Sequence, residues 1–576
     1  MKQDPDISTA LPIWARTTIA LCLMLLICPG LCWVIKQPSV ASLIQGLAIP
    51  AVLLLFYFAF FGARLWVGFL LLAPLVLIAP AEAGFIAVYG HPSDYDIVGL
   101  AVESGPRETR DFLGALLWPL IGTFIFSTAV AILAPIFLWR CRTRWRGESR
   151  TYSLVIAVVL PTTLFVFGFL HFPGSMSQRL ASAMIDLGAY AESIIPGYPF
   201  GVPFRAYSYY HELMSLRVET AKLKDFRFGA TAPPPIGVRQ IYIMVIGESS
   251  RRDHWSLFGY SRSTNPDLAK IANLVPIPEM ITPWTTSRLA IPILLTRKPA
   301  TNSQLHFNEP SILRVYSEAG FRTYWFSNQL TIGQHDFSIS ATAYEAANVR
   351  FFNPASWADP GTYDEVLIPA LQRAIAESSD NLFVVLHTIG SHGRYVFRYP
   401  AKFDAFQPSQ TAGAGAPYNQ LLLNSYDNSI LYTDHILAKV IEVLTSTGTV
   451  AALFYSSDHG EDIPNSSCSL SGHGNPSLSN FIVPALFWYS DQYKSLFPDK
   501  VGLFRKNAGL PLTTENVFET LVDLAGINLP SHDASKSLFS SELKVRPRLV
   551  NTFGQVDFDH AELSKRCQVV LPPGTQ

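Results

Sequence analysis

The chain has 576 residues, is 49% hydrophobic and only 15% charged, and combines a net charge of −1 with a mean hydropathy of +0.23. Soluble domains carry roughly 25% charged residues, so a membrane portion is implied, and the length exceeds one ordinary domain. The near-zero net charge offers no electrostatic footprint for nucleic acid, which excludes that class of partner.

Five windows free of Asp, Glu, Lys and Arg come first, at 17–35, 37–63, 65–81, 112–139 and 151–178. Each predicts a membrane helix of roughly 20 residues, the third only by running past Glu82. The first lacks a small-residue cleavage site and is followed by further apolar windows, so it reads as a retained helix rather than a signal peptide. Between the fourth and fifth windows, Arg140, Arg142, Arg144, Arg146 and Arg150 stand against Glu148 alone, which marks a cytoplasmic loop. The preceding loop holds Asp94, Asp96, Glu103, Glu108 and Asp111 against Arg107 and Arg110, which suits the outer side. Five crossings then place the N-terminus inside and everything after about Gln178 outside. Only Cys468 and Cys567 of the six cysteines reach that exterior part; an oxidising compartment permits one disulfide, and the sequence leaves their pairing open.

The expected organisation is therefore a five-helix transmembrane domain (1–178), a bridge (179–235) and an exterior domain (236–576). Within the bridge, residues 204–211 are rich in amphipathic aromatics; a segment at the lipid headgroups and an ordinary linker helix are both open readings. Pro233-Pro-Pro-Ile-Gly marks a stiff linker. Beyond it, apolar runs at 241–246, 323–326, 382–386, 450–455 and 483–488 predict buried strands. They alternate with helical patterns at 311–319, 364–377, 419–445 and 515–525, the first and last stopping at Gly320 and Gly526. This alternation predicts an α/β domain with a largely parallel central sheet, whose functional residues gather beyond the carboxyl ends of the strands.

Glu248 follows the first strand, His387 and His392 the third, and Asp458 and His459 the fourth, with His473 soon after. Carboxylate and imidazole groups converging from separate strands are what a zinc site with one open position requires. Each group alone has a mundane reading, as a helix cap or a satisfied polar residue; their recurrence at successive strand ends favours the metal site. A nucleophile is also available. Thr285-Thr286-Ser287 precedes an apolar run resembling a helix with Pro292 near its start. A hydroxyl just ahead of a helix N-terminus lies near free amides that favour phosphate, and zinc would lower its pKa. The bland counterpart is a plain Ser/Thr cap.

The run from Gly247 to Pro266 (GESSRRDHWSLFGYSRSTNP) resembles the signature of bacterial phosphoethanolamine transferases, which include the lipid A-modifying enzymes of polymyxin resistance. The segments 390–393 (GSHG), 426–434 (YDNSILYTD) and 457–461 (SDHGE) match further blocks of that family in the same order, and the membrane anchor matches as well. The resemblance implies an alkaline-phosphatase/sulfatase-like domain in the periplasm, anchored in the bacterial inner membrane. It implies one tightly bound zinc held by Glu248, Asp458, His459 and the nucleophilic hydroxyl, with His392 and His473 contacting the phosphoryl group or a second zinc. The family register relative to Pro292 selects Ser287 as nucleophile, where most relatives have threonine; Thr286 is the rival. Ser104 and Glu108 have a spacing similar to groups that relatives place against the lipid donor. The implied reaction moves phosphoethanolamine from phosphatidylethanolamine to lipopolysaccharide (lipid A or core sugar) through a phospho-enzyme. The cysteines that bracket the nucleophile in many lipid A-directed relatives are missing here, which bears on the acceptor. Rival readings are a phosphoglycerol transferase or phosphodiesterase of the same fold, and a non-catalytic membrane sensor. A sulfatase needs cysteine or serine two residues before the proline, and that position is Ala290.

Overall fold

The computed structural model describes residues 12–89, 92–93, 98, 117–171, 194–234, 236–305, 307–330, 337–353, 362–412, 417–552 and 554–575. The described residues form two compact units, one from the chain up to His211 and one from Glu212 onward. Ser104 and Glu108 lie outside the described residues.

The first unit is helical: α1 (Ile13–Lys36), α2 (Ile49–Phe60), α3 (Leu65–Tyr89), α4 (Leu117–Arg140), α5 (Glu148–His171) and the start of α6 (Gly201–Lys222). By length and composition, three described stretches suffice to cross a membrane: Ile13–Lys36, Val40–Ala87 and Trp118–Arg140. This corrects the five expected from the windows. The second stretch runs for 48 residues and takes in the second and third windows together, because helical backbone continues between them. It nevertheless doubles back, since the Tyr57 hydroxyl donates to Gly68 O at 2.9 Å and Phe58 stacks on Phe69 at 4.6 Å. In a straight helix such pairs would lie about 16 Å apart along the axis. The turn is the 3₁₀ segment Phe61–Arg64. The fifth window falls on α5, which is not among the three spans.

Where α1 meets the chain after it, the backbones almost touch: a Cβ on Gly30 would lie 1.8 Å from Gly46 O. Only glycine permits that approach, the usual device for packing membrane helices. Helix α3 does run past Glu82, and that carboxylate is compensated. Arg205 lies 2.8 Å from it, and Ser93 donates to it through both its amide and its hydroxyl. On α6, Phe204, Tyr207 and Tyr210 are exposed while Tyr209 is buried.

The second unit is built on a seven-stranded sheet: β1 (Gln240–Gly247), β2 (Leu274–Ile277), β3 (Arg322–Leu330), β4 (Asn348–Asn353), β5 (Leu382–His387), β6 (Val450–Ser457) and β7 (Ala485–Tyr489). Their spatial order is β2-β7-β6-β1-β5-β3-β4. Strands β6, β1, β5, β3 and β4 pair in parallel, and β7 runs antiparallel to both its neighbours. The central strands β1, β5 and β6 are buried along their whole length, as expected for a sheet covered on both faces. The covering helices include α7 (Ser287–Leu295), α8 (Ile312–Glu318), α9 (Leu367–Glu377), α10 (Tyr418–Ser446) and α11 (Val517–Ala525). Gly320 and Gly526 follow α8 and α11 with positive φ, as the sequence suggests. Pro292 is inside α7 rather than in its first turn. Cys468 and Cys567 form a disulfide, so the open question of their pairing closes in favour of a bond.

His532 is clamped against α11, 2.6 Å from Glu519 and 3.1 Å from Asp523. Its hydrogen bonds to Asp523 and then Glu519 push its pKa from 6.5 to about 10. A raised folded-state pKa stabilises fully below about pH 6.5, and this contribution disappears as pH climbs through about 10. The variant His532→Gln is expected to melt about 2–4 °C lower than wild type near pH 6. That gap should narrow steadily in thermal melts taken toward pH 10; a gap independent of pH would refute the assignment.

Candidate active site

The registry of the sheet creates the site. Gly247 pairs with Ser457 and Ile246 with His387, so β6, β1 and β5 end side by side. Adjacent strands are about 4.8 Å apart, and the residues next in sequence must therefore meet beyond the carboxyl edge. Glu248 emerges between Asp458-His459 on one side and the segment carrying His392 on the other. The Ser287 hydroxyl arrives from the N-terminus of α7, with Thr286 as the N-cap residue.

Ser287 Oγ donates to Glu248 Oε2 at 3.2 Å and lies 3.1 Å from His459 Nε2. His459 Nε2 is 3.4 Å from both Glu248 Oε1 and Asp458 Oδ2. The other imidazole nitrogen donates to Gly460 O at 2.9 Å, which fixes the tautomer and leaves Nε2 as a lone pair. Glu248, Asp458 and His459 are all buried, and Asp458 Oδ2 has no hydrogen-bond partner among the described residues. Burial, and then the Asp458 charge, push the Glu248 carboxyl well above the usual range, while burial lowers the His459 pKa.

His392 and His473 flank this cluster, with ring centroids 5.6 Å apart, and the His473 ring lies 4.5 Å from that of His459. Each of three triads brings its ligand atoms within 4.8 Å of one another: Glu248/Asp458/His459, Glu248/His392/His473 and His459/Glu461/His473. Glu248, Asp458, His459, His392 and His473 thus converge with Ser287. The Thr286 hydroxyl enters none of these contacts; its methyl faces Gly474. His387 stays out as well. It is buried against Trp325, and burial lowers its pKa to about 4, so it is a neutral core residue.

Two residues join to which the sequence reading gave no role, Glu461 although it closes the 457–461 block. Gln329, at the end of β3, donates to Glu248 Oε2 at 3.2 Å and to Thr388 O at 2.8 Å. Its position at a carboxyl strand end was the available signal. Glu461 accepts from the Tyr395 hydroxyl at 2.8 Å and faces His473 Nδ1 at 3.4 Å. The signature run proves to be chiefly a scaffold. Buried Asp427 of α10 receives His254 at 2.7 Å, Tyr260 at 2.8 Å and Arg262 at 2.7 Å. Tyr426 accepts from Arg251 N and donates to Ser249 O, which ties α10 to the residue after Glu248.

Comparison with known proteins agrees with this architecture. The sulfatase family matches residues 240–527, half of the 576-residue chain. Phosphoethanolamine transferase EptA of Salmonella typhimurium is 27% identical over 492 residues, covering 82% of this chain and 85% of that protein. The full-length lipooligosaccharide phosphoethanolamine transferase A of Neisseria meningitidis, an integral membrane protein, superposes with a TM-score of 0.64 at 18% identity, covering 91% and 97% of the two chains. The periplasmic domain of EptC from Escherichia coli, solved in complex with Zn, gives a TM-score of 0.52 at 23% identity, covering 60% of this chain and 99% of that one.

Gly460 supports the site sterically. A Cβ there would stand 1.9 Å from Ser479 O, a backbone atom that cannot swing away. Gly460→Ala is expected to cost about 3 kcal/mol or more, read as a lower denaturation midpoint; an unchanged midpoint would show that the backbone at His459 yields freely.

Proposed function

The chain belongs to the sulfatase family, and from that premise we propose that it is a zinc-dependent transferase moving phosphoethanolamine from phosphatidylethanolamine to lipopolysaccharide, on lipid A or a core sugar. The observation that carries this reading is a hydroxyl at a helix N-terminus touching a buried cluster of two carboxylates and one imidazole lone pair. The relatives it resembles over four-fifths of its length bear the name phosphoethanolamine transferase.

The residues fit a zinc ion. Glu248, Asp458 and His459 are the O and N donors that zinc takes, and Asp458 Oδ2 is otherwise an orphaned buried acceptor. Bound there, zinc would lower the pKa of the Ser287 hydroxyl and offset charge on the transferring phosphoryl group. Gln329 donates to the same Glu248 oxygen as Ser287 and helps to orient that carboxylate.

Ser287 Oγ, deprotonated, attacks phosphorus; the Oγ–P bond forms and the P–O bond to diacylglycerol breaks. The departing alkoxide takes a proton from a flanking imidazole. His473 suits this, because Glu461 faces its Nδ1 and stabilises the protonated ring. In the second half an acceptor hydroxyl gives its proton to that imidazole and attacks the phosphoserine, releasing Ser287. His392, whose ring lies 5.6 Å from that of His473, is assigned to contact with the same phosphoryl group. The arginine loop after α4 is assigned to the cytoplasm and the second unit to the periplasm of a bacterial inner membrane, an assignment that takes α5 as a further crossing beyond the three long apolar stretches. In this reading residues 1–178 form the anchor, 179–235 the bridge and 236–576 the catalytic domain.

Four experiments test the proposal. Ser287→Ala is expected to abolish transfer with most metal binding kept, Thr286→Ala to retain substantial activity, and Ser287→Thr to be partly active. Peptide mass spectrometry without acceptor should find phosphoethanolamine on Ser287; an adduct on Thr286 moves the register, and an active Ser287→Ala enzyme without any adduct removes the scheme. Metal analysis should find zinc in the wild type, and Asp458→Ala should lower its affinity by about 100-fold, Gln329→Ala by roughly 10-fold. Full activity in metal-free protein would overturn zinc dependence. A reporter fused after Arg146 should behave as cytoplasmic; periplasmic behaviour would reverse the orientation.

A further inference from the structure

The arginines that orient the chain in a membrane do more than supply loop charge. Topology asks only that basic residues lie on one side. The structure brings Arg64, from the turn between α2 and α3, against Arg140, Arg142 and Arg144, from the segment after α4. Together with Trp66, Trp139 and Thr143 they line one cleft of about 500 Å³.

The cleft is held open by backbone contacts rather than by chance proximity. Trp145 N donates to Gly62 O at 2.8 Å, and Arg150 Nε donates to Ala59 O at 2.8 Å. These bonds clasp the α2–α3 turn to the segment between α4 and α5. The clasp is close: a Cβ on Gly62 would meet Arg150 Nε at 2.5 Å and Trp145 O at 2.8 Å. Among the described residues no carboxylate pairs with Arg64, Arg140 or Arg142, and all four lining arginines are exposed. Converging like charges repel, and a planar guanidinium fork is suited to a bidentate grip on phosphate. Trp66 and Trp139 sit at the ends of α3 and α4, where indoles settle at lipid headgroups.

We propose that this cleft binds the phosphate headgroup of an anionic phospholipid, separately from the transfer site and whatever substrate that site takes. The tryptophans and the ends of membrane helices favour a lipid over a soluble anion, because they place the guanidinium groups at the level where a lipid phosphate lies.

The test uses the full chain in phosphatidylcholine nanodiscs doped with phosphatidylglycerol, with lipid retention read by native mass spectrometry. Wild type should retain phosphatidylglycerol in preference to phosphatidylcholine. Arg64→Gln with Arg142→Gln should weaken that retention by about thirtyfold. Because removing charge can disturb insertion, Arg64→Lys with Arg142→Lys is the companion variant: it keeps the charge and loses the fork, so its retention should fall between the two. Equal retention by wild type and the glutamine variant, or no preference over phosphatidylcholine, overturns the proposal. Displacement of the lipid by millimolar inorganic phosphate would assign the cleft to a soluble anion and overturn it equally.

Discussion

One hydrogen bond sets the character of the active site: the donation from His459 Nδ1 to the Gly460 carbonyl. It commits the imidazole to a single tautomer and turns the Nε2 lone pair toward Glu248, Asp458 and Ser287. Electron-rich atoms then face one another in a buried volume, an arrangement that a bound cation would relieve. The glycine is part of the same device. A side chain at 460 would collide with the Ser479 backbone, so only glycine lets that residue lie there, where its N donates to Asn480 O at 2.8 Å.

The surroundings exist to keep those groups in register. Three neighbouring strand ends deliver the acids and the imidazole, and the rigid, fully buried β1 fixes Glu248 between them. The loop after β1 is then nailed to α10 through Asp427, which gathers His254, Tyr260 and Arg262 from the signature run. Removing the Asp427 charge would leave three polar groups facing an empty buried position. A motif that reads in sequence as chemistry is thus mostly the frame that aims two or three chemical groups. The Cys468–Cys567 bond serves a similar end, bracing the loop between Glu461 and His473 against the C-terminal segment.

What could be read from sequence follows from how strongly each feature is local. The buried central strands announce themselves as short apolar runs, and α8 and α11 as periodic patterns ending in glycine. The outer strands do not. Strand β2 contains Pro276, and β4 is only partly buried, so neither carries the apolar signature. Gln329 escaped because the apolar run that marks β3 ends at Phe326, short of the strand itself. The cysteine pair, 99 residues apart, could be settled only by tertiary placement. The span count failed for a different reason. Helical backbone runs on through the Phe61–Arg64 turn, so two charge-free windows count as one 48-residue stretch although the contacts of Tyr57 and Phe58 show it reversing, and α5, on the fifth window, is not among the long apolar stretches.

A proton is the obvious alternative to a metal as the charge that quiets the site, and the upward shift of the Glu248 carboxyl makes it a natural carrier. A protonated Glu248 could donate to the His459 lone pair through Oε1. That single donor could serve the His459 lone pair or Asp458, but not both at once. It would also leave the Ser287 hydroxyl as an ordinary alcohol, a weak nucleophile at neutral pH. Glu248, Asp458, His459 and Ser287 could together hold a divalent ion, which would make the same hydroxyl more reactive. Within the proposed reaction a metal therefore suits the cluster better than a proton, which would serve one electron-rich group at a time and leave the proposed nucleophile inert.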